Sequence, residues 1–301
     1  MRQDMTAPRQ VLQGTTSLVT RRTARQEFLL KPTKLTNALF GYLLAVASSR
    51  YGIDVHAFVV MSNHYHLVIT DPQARLPLFC QYLDGLCARA MNMEWGRVED
   101  FWGPPSYSGV ALVTKEAVLA KVLYTLTNPV EAELVAKGSE WPGLWSNPDL
   151  IGAGTLTFER PEGFFDPKGT MPKQAFLTLK TPPGYSKEEF QRLLTAQLET
   201  YEADMAKALE HLGRRVLGVR KILKQRHTDR PSTKPTLGEL KPRVAARDKW
   251  KRIEALGRLQ AFLEEYQEAI TRYRGGAHDA RFPVGTYWMR VCFGVACAGS
   301  G

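Results

Sequence analysis

The order of elements in this 301-residue chain predicts an α+β fold. The expected core is a ferredoxin-like, split βαβ antiparallel sheet with helices on one face, and a mainly helical, basic C-terminal extension follows it. Three observations lead there. Over the first half, β-rich and helical runs alternate as β, α, β, β, α, β, α. The turn residues Ser62 and Asn63 stand between two apolar β-rich runs, a hairpin signal. Beyond residue 185, apolar residues recur at helical spacing over two long stretches.

Taken in order, residues 1–15 read as a disordered N-terminus. "TSLVTRRTARQEFLL" (16–30) reads as a strand running into a basic turn, and "KLTNALFGYLLAVASSRYG" (34–52) as a helix stopped by Gly52. "IDVHAFVVM" and "HYHLVIT" form the hairpin. Residues 76–95 read as an amphipathic helix, and the aromatic, turn-rich "RVEDFWGPPSYSGVALV" as a loop feeding a strand. Thr114 is a fitting N-cap for "KEAVLAKVLYTLT", and Asn128-Pro129 marks the expected helix end. Ser186 with Glu189 makes a capping box for the helix over 187–213, and a second long helix covers 248–274. "FPVGTYWMRVCFGVACA" reads as a short β pair. The expected division is therefore 1–15, a first domain over 16–151, and a basic helical region over 152–301.

A hydrophobic fraction of 44% and a charged fraction of 23% are those of a globular protein. No apolar run approaches the roughly 20 residues that span a bilayer, and the polar start lacks the apolar region of a secretory signal. The expectation is a cytoplasmic protein with no membrane partner. Cys80, Cys87, Cys292 and Cys297 contain no C-x-x-C, and the first two fall in a helical run, which points to buried thiols rather than zinc ligands. The charge is unevenly spread. Residues 211–260 hold 15 Lys/Arg against 4 Asp/Glu, a net of +11 in a chain whose total is +10. Such a block is the footprint of a polyanion partner, most often nucleic acid.

In "VVMSNHYHLVIT", His64 and His66 share one side of a strand and Tyr65 takes the other. The imidazoles are a metal-holding pair or a structural one, and the strand alone does not decide. Some 60 residues later, "KVLYTLTNPV" places Tyr124 and Asn128 four apart, on one helix face. Together, "MSNHYHLV" and "YTLTNPVEAELV" resemble the REP-associated tyrosine transposases, which belong to the HUH single-strand DNA transposases. The resemblance covers about residues 14–146 and includes "YGIDVHAFVVMSNHYHLV" and the Phe101-Trp102 pair.

That resemblance implies a metal-dependent enzyme that cuts and rejoins single-stranded DNA at hairpin or palindromic repeats through a 5′-phosphotyrosine intermediate. By position, His64, His66 and Asn128 would hold Mg²⁺ or Mn²⁺, and Tyr124 would be the nucleophile. Arg21, Arg22 and Arg25 after the first strand would contact phosphate, and Phe101 and Trp102 would stack on bases. From the basic block, Arg214, Arg215, Arg220, Lys221 and Lys224 are further candidate DNA contacts, with "GVRKILKQ" as a candidate recognition helix. The implied partner is single-stranded or hairpin DNA in the nucleoid, bound by a monomer or a homodimer. One departure is "GPPSYSG", which replaces the basic segment that often follows the aromatic-Trp pair in the family. The alternatives are a non-catalytic repeat-binding protein, or an HUH replication initiator or relaxase. In those the tyrosine and histidines come in a different order or number.

Overall fold

The computed structural model describes residues 8–104, 106–232 and 242–299. Its first half follows the expected order: β1 (Thr15–Arg22), α1 (Lys34–Tyr51), β2 (Asp54–Val60), β3 (His64–Asp71), α2 (Leu76–Glu94), β4 (Ser108–Leu112) and α3 (Lys115–Glu131). The second half adds β5 (Thr155–Glu159), β6 (Gln174–Thr178), α4 (Lys187–His211), α5 (Val219–Lys224), β7 (Val244–Ala245), α6 (Lys249–Arg274) and α7 (Trp288–Phe293). The main sheet runs β2-β3-β1-β4-β7. Its first four strands are antiparallel, as a split βαβ unit requires, and β7 adds a short parallel edge to β4.

The fold is α+β, and its helices occupy both faces. Phe40 of α1 packs 5.3 Å from the Tyr65 ring, and Asp84 of α2 accepts a hydrogen bond from the Tyr65 hydroxyl at 2.8 Å. These two helices therefore cover the Tyr65 face. α3 crosses the opposite face, where its Tyr124 meets His66. That face also needs a cover. Leu18, Val68 and Val110 lie on it and are buried beneath α3's Val118 and Val122.

α1 begins at Thr33, whose hydroxyl accepts from Thr36 N, and ends at Gly52 in the left-handed region, φ 64°. Residues 39–45 of this helix are all buried, which a helix lying on one sheet would not show. The cause is the β5–β6 hairpin, which packs on the outer side of α1. Gly41 makes this approach close enough that a Cβ there would overlap the Phe158 ring. Tyr42 donates to Pro172 O at 2.6 Å from the same side. The main core thus continues past residue 151, through Leu177 and Leu179 to Phe190 and Leu194 of α4.

The β2 edge is also closed. Val60 N donates to Leu144 O, Ser146 N to Phe58 O, and Lys180 N to Val55 O, so no row of unpaired backbone groups invites another strand. α3 does not end at Asn128. It runs through Pro129 to Glu131: the proline forgoes one hydrogen bond and crowds the carbonyl four residues back, and the burial of Asn128, Pro129 and Val130 against the body holds the last turn in place. α4 starts as expected, with Ser186 Oγ accepting from Glu189 N at 3.1 Å.

The expected terminal β pair is instead the short helix α7, with Phe282 and Cys297 joined by one bridge on its flanks. A small second core of Phe262, Tyr266, Ile270, Phe282 and Met289 holds α7 against α6. Residues 1–7 of the stretch expected to be disordered lie outside the described residues. From residue 8 the chain is held to the body, as where Arg9 Nη2 donates to Tyr107 O at 2.5 Å. Cys80 and Cys87 are free and buried, which pushes both thiols up. Residues 233–236 of the expected break in the basic segment also lie outside the described residues. Among the described residues, no helix is long and apolar enough to cross a membrane.

Gly41→Ala tests the packing of the hairpin. In an open helix this change stabilises by about 1 kcal/mol. Here the methyl must displace Phe158, and a loss of about 1–3 kcal/mol in urea unfolding is expected, largely recovered in Gly41→Ala/Phe158→Leu.

Candidate active site

Antiparallel pairing sets Thr20 of β1 opposite His66 of β3, and Arg22 opposite His64. Side chains of paired residues share a face, so all four stand together while Arg21 and Tyr65 point through to the other side. The two imidazole rings lie 4.8 Å apart, edge to face. Their Nδ1 atoms are both engaged. His64 Nδ1 meets Asn63 Oδ1 at 2.7 Å, and His66 Nδ1 meets Thr20 Oγ1 at 2.7 Å. Asn63 is fixed in turn: its side-chain Nδ2 donates to Gln26 O, and its backbone carbonyl accepts from the Thr23 backbone N–H and hydroxyl. With Nδ1 protonated toward Asn63 Oδ1, His64 keeps a lone pair on Nε2.

α3 closes the site from above. Thr114 caps it, accepting from Ala117 N at 3.2 Å, and buried Val118, Val122 and Leu126 seat it on the sheet. Tyr124 then faces His66, with ring centroids 5.2 Å apart. One turn on, Asn128 is 8% exposed, with its side chain close enough to His64 to act on the ring's titration. One turn back, Lys121 Nζ stands 4.8 Å from the centre of the Tyr124 ring. Trp145 donates its indole N–H to Leu126 O at 2.9 Å and so pins the end of this helix.

The electrostatics keep both imidazoles neutral. Burial is the main cause for His64, helped by the Arg22 charge and opposed by the Asn128 side chain, and its pKa falls to about 4. His66 is pushed well down by burial, then by His64, Arg22 and Lys121. Neutral imidazole with a lone pair is the form that binds metal. Among the described residues, no three of His, Cys, Asp or Glu converge on a metal position. The donors gathered here are two imidazoles and one amide, a set that fits a divalent ion with positions to spare.

The structure thus brings together His64, His66, Tyr124 and Asn128. It spreads the candidate DNA contacts more widely. Arg22 is exposed beside His64, while Arg25 is exposed with Nε 3.2 Å from Glu27. Arg21 is a correction. It lies on the Tyr65 face, 14% exposed, with Nε 3.7 Å from Asp84, and serves a buried ion pair. Phe101 and Trp102 are corrections of the same kind. Phe101 is 2% exposed, and Trp102 packs edge-on against Tyr65 while donating to Asp84 O at 2.8 Å. Phe101 is part of the core beneath the sheet, and Trp102 is partly buried against it.

Arg214 pairs with Glu133 at 2.6 Å, just past the end of α3. Arg215, Arg220, Lys221 and Lys224 are exposed. The stretch read as a recognition helix is the six-residue α5, pinned by buried Ile222 against Val59, Val130 and Trp141. Its cations therefore fringe the same end of the site. The residues that sequence reasoning missed are Thr20, Asn63 and Lys121. The Lys121–Tyr124 spacing was a usable signal, since residues three apart on a helix are neighbours.

No protein-family model matches the chain, and no curated protein does. Among solved structures, a REP-associated tyrosine transposase bound to a REP hairpin is similar at 18% identity, over 46% of this chain and 81% of that one, with a TM-score of 0.39. A candidate transposase from Deinococcus radiodurans R1 is similar at 20% identity, over 41% of this chain and 97% of that one, with a TM-score of 0.28.

The depressed His64 pKa carries a sign. Between about pH 4 and 6.5 the unfolded chain takes up a proton that the native site refuses. The stabilisation is therefore complete above pH 6.5 and is lost as pH falls toward 4. His64→Gln should flatten the stability-versus-pH curve over that window by about 2 kcal/mol, a value trimmed for partial exposure. Urea unfolding at stepped pH reads it, and an unchanged slope would mean that His64 titrates as in an unfolded chain.

Proposed function

We propose that this protein cuts and rejoins single-stranded DNA through a covalent link between Tyr124 and a 5′-phosphate. His64, His66 and Asn128 would hold Mg²⁺ or Mn²⁺. The observation that carries this reading is the 5.2 Å approach of the Tyr124 ring to His66, itself 4.8 Å from His64. Residues nearly 60 apart in sequence, singled out for one chemistry, meet at one point on the sheet. The motif resemblance supports the same reading.

In that reaction the Tyr124 oxygen attacks phosphorus and gives up its proton. The bond from phosphorus to the 3′ oxygen breaks, and that oxygen takes a proton to leave as a 3′-OH. Rejoining reverses the step, so the energy of the broken linkage is kept rather than lost to water. A phenol with a pKa near 10 is a weak nucleophile at neutral pH, and the site answers with charge. Lys121 places an ammonium beside the Tyr124 ring, and Arg22 stands exposed next to His64. Both can hold the non-bridging oxygens of the phosphate. When bound, a divalent ion would supply Lewis-acid neutralisation of those same oxygens. Asn63 and Thr20 hold the rings in place, and α3 carries nucleophile and amide ligand on one rigid element. Histidines and tyrosine meet within one chain, which supports attack in cis.

Labelled hairpin-flanked single-stranded DNA incubated with Mn²⁺ or Mg²⁺ should give a covalent protein–DNA band on a denaturing gel. Tyr124→Phe should abolish it. Retarded DNA that never becomes covalently joined would favour the repeat-binding alternative, and cleavage surviving in Tyr124→Phe would mean that water is the nucleophile. Mixing Tyr124→Phe with His66→Ala chains should restore no adduct, whereas restoration would mean attack across a dimer.

Asn63→Ala and Thr20→Val test the support of the rings. Each is expected to weaken Mn²⁺ binding about 10- to 100-fold, read by the free-Mn²⁺ signal in electron paramagnetic resonance. Asn63→Asp, which keeps the acceptor, should stay near wild type.

A further inference from the structure

The first turns of α6 carry a surface that the Tyr124 site does not use. Trp250, Ile253 and Leu256 are 75%, 47% and 46% exposed. Trp250 and Ile253 fall on the side of the helix away from Phe262, Tyr266 and Ile270, which pack into the C-terminal core, and Leu256 lies at the border between the two. Arg247, Lys249, Lys251, Arg252 and Arg258 stand among them, all exposed. Of the nearby acids, Asp248 is taken up as the helix cap, accepting from Lys251 N, and Glu254 pairs with Arg258 at 3.3 Å. The surplus positive charge therefore lies at the start of the helix, around the indole.

This surface lies beside α3. β7 is bonded to β4 through Ala111 N to Arg243 O and Val113 N to Ala245 O, and β4 leads directly into α3. Arg247 shares a cleft of about 250 Å³ with Lys115, Glu116, Leu119 and Ala120 of α3. The Glu116 carboxyl is held below its ordinary range first by hydrogen bonds from its own backbone and from Thr114, then by the charges of Lys115 and Lys251. Lys251 is thus within electrostatic reach of α3. From Glu116 to Tyr124 is eight residues of helix, about 12 Å, with Lys121 on the way. Arg247 and Lys251 thus gather near the N-terminal end of α3, where Lys115 is paired with Glu189 at 3.8 Å, and Lys121 stands further along the helix beside Tyr124.

A flat apolar ring in a field of cations, beside the helix that carries Tyr124, matches the chemistry of unpaired nucleic acid. There, bases stack on aromatic faces while Lys and Arg track the backbone. We propose that the start of α6 binds the single strand flanking the bond cut at Tyr124. Trp250 stacks on a base, and Arg247, Lys251 and Arg252 contact phosphates. The proposal rests on the DNA reading of the Tyr124 site. An anionic membrane surface would also accept tryptophan with cations, but it would not explain why this surface adjoins α3, the helix that carries Tyr124.

The test uses the full chain with Tyr124→Phe, which holds the reaction at binding, and a fluorescein-labelled single strand read by anisotropy over a salt series. Trp250→Ala should weaken binding roughly five- to hundredfold, and Trp250→Phe, which keeps a π-face, should stay within a few-fold. Lys251→Gln with Arg252→Gln should reduce the slope of log affinity against log salt by about 1.4. Binding unchanged in Trp250→Ala would overturn the proposal. So would full rescue by Trp250→Leu, or a Trp250 dependence seen only with phosphatidylserine vesicles.

The covalent adduct of the chain that keeps Tyr124 is read separately. Trp250-dependent binding without any adduct sinks the cleavage reading and leaves this surface standing. An adduct with Trp250-independent binding does the reverse.

Discussion

The pairing of β1 with β3 is the constraint on which the site depends. Its register puts Thr20 against His66 and Arg22 against His64. One register therefore delivers two imidazoles, a hydroxyl that holds one of them and a cation to the same face. A slip of one residue would send Tyr65 to that face and both histidines into the α1–α2 core. Tyr65 guards against this. Its ring is fully buried, and its hydroxyl is bonded to Asp84 beside Arg21 and Trp102. The buried polar cluster under the sheet and the candidate site above it are the two faces of one strand alternation.

That cluster also explains why three of the candidate DNA contacts are structural. Burial pushes Asp84 up to about 6, against the pull of the Tyr65 hydroxyl and Arg21. A carboxyl so placed needs nearby donors, which the Tyr65 hydroxyl and Arg21 supply, while the Trp102 indole donates to the Asp84 backbone carbonyl. Arg21 follows Thr20 in the chain, so if Thr20 serves the site, Arg21 cannot.

Much of this was legible in the sequence. The helix and strand periods before residue 131, the Ser62-Asn63 hairpin and the caps at Thr114 and Ser186 are local signals, and the structure carries each of them. The His-x-His pair and the Tyr124–Asn128 spacing are also local, and each fixes a face. What brings those faces together is the descent of α3 onto the histidine side, a long-range packing event that no period reports. The same holds for the hairpin over Gly41, for the two-residue β7, and for Asn63, whose role appears only when its Oδ1 is seen on His64. The β pair expected over 282–298 is the helix α7 instead, closed by Gly294 in the left-handed region and held by packing against α6, a long-range contact that no local pattern reports.

The proposed chemistry requires His64, His66 and Asn128 to form one metal position beneath Tyr124. The most direct measurement is anomalous diffraction from crystals soaked in Mn²⁺, recorded above and below the manganese edge. A single strong peak within bonding distance of both histidine Nε2 atoms and the Asn128 amide oxygen is the predicted result. A peak elsewhere, or none at millimolar Mn²⁺ with the site open to solvent, would contradict it.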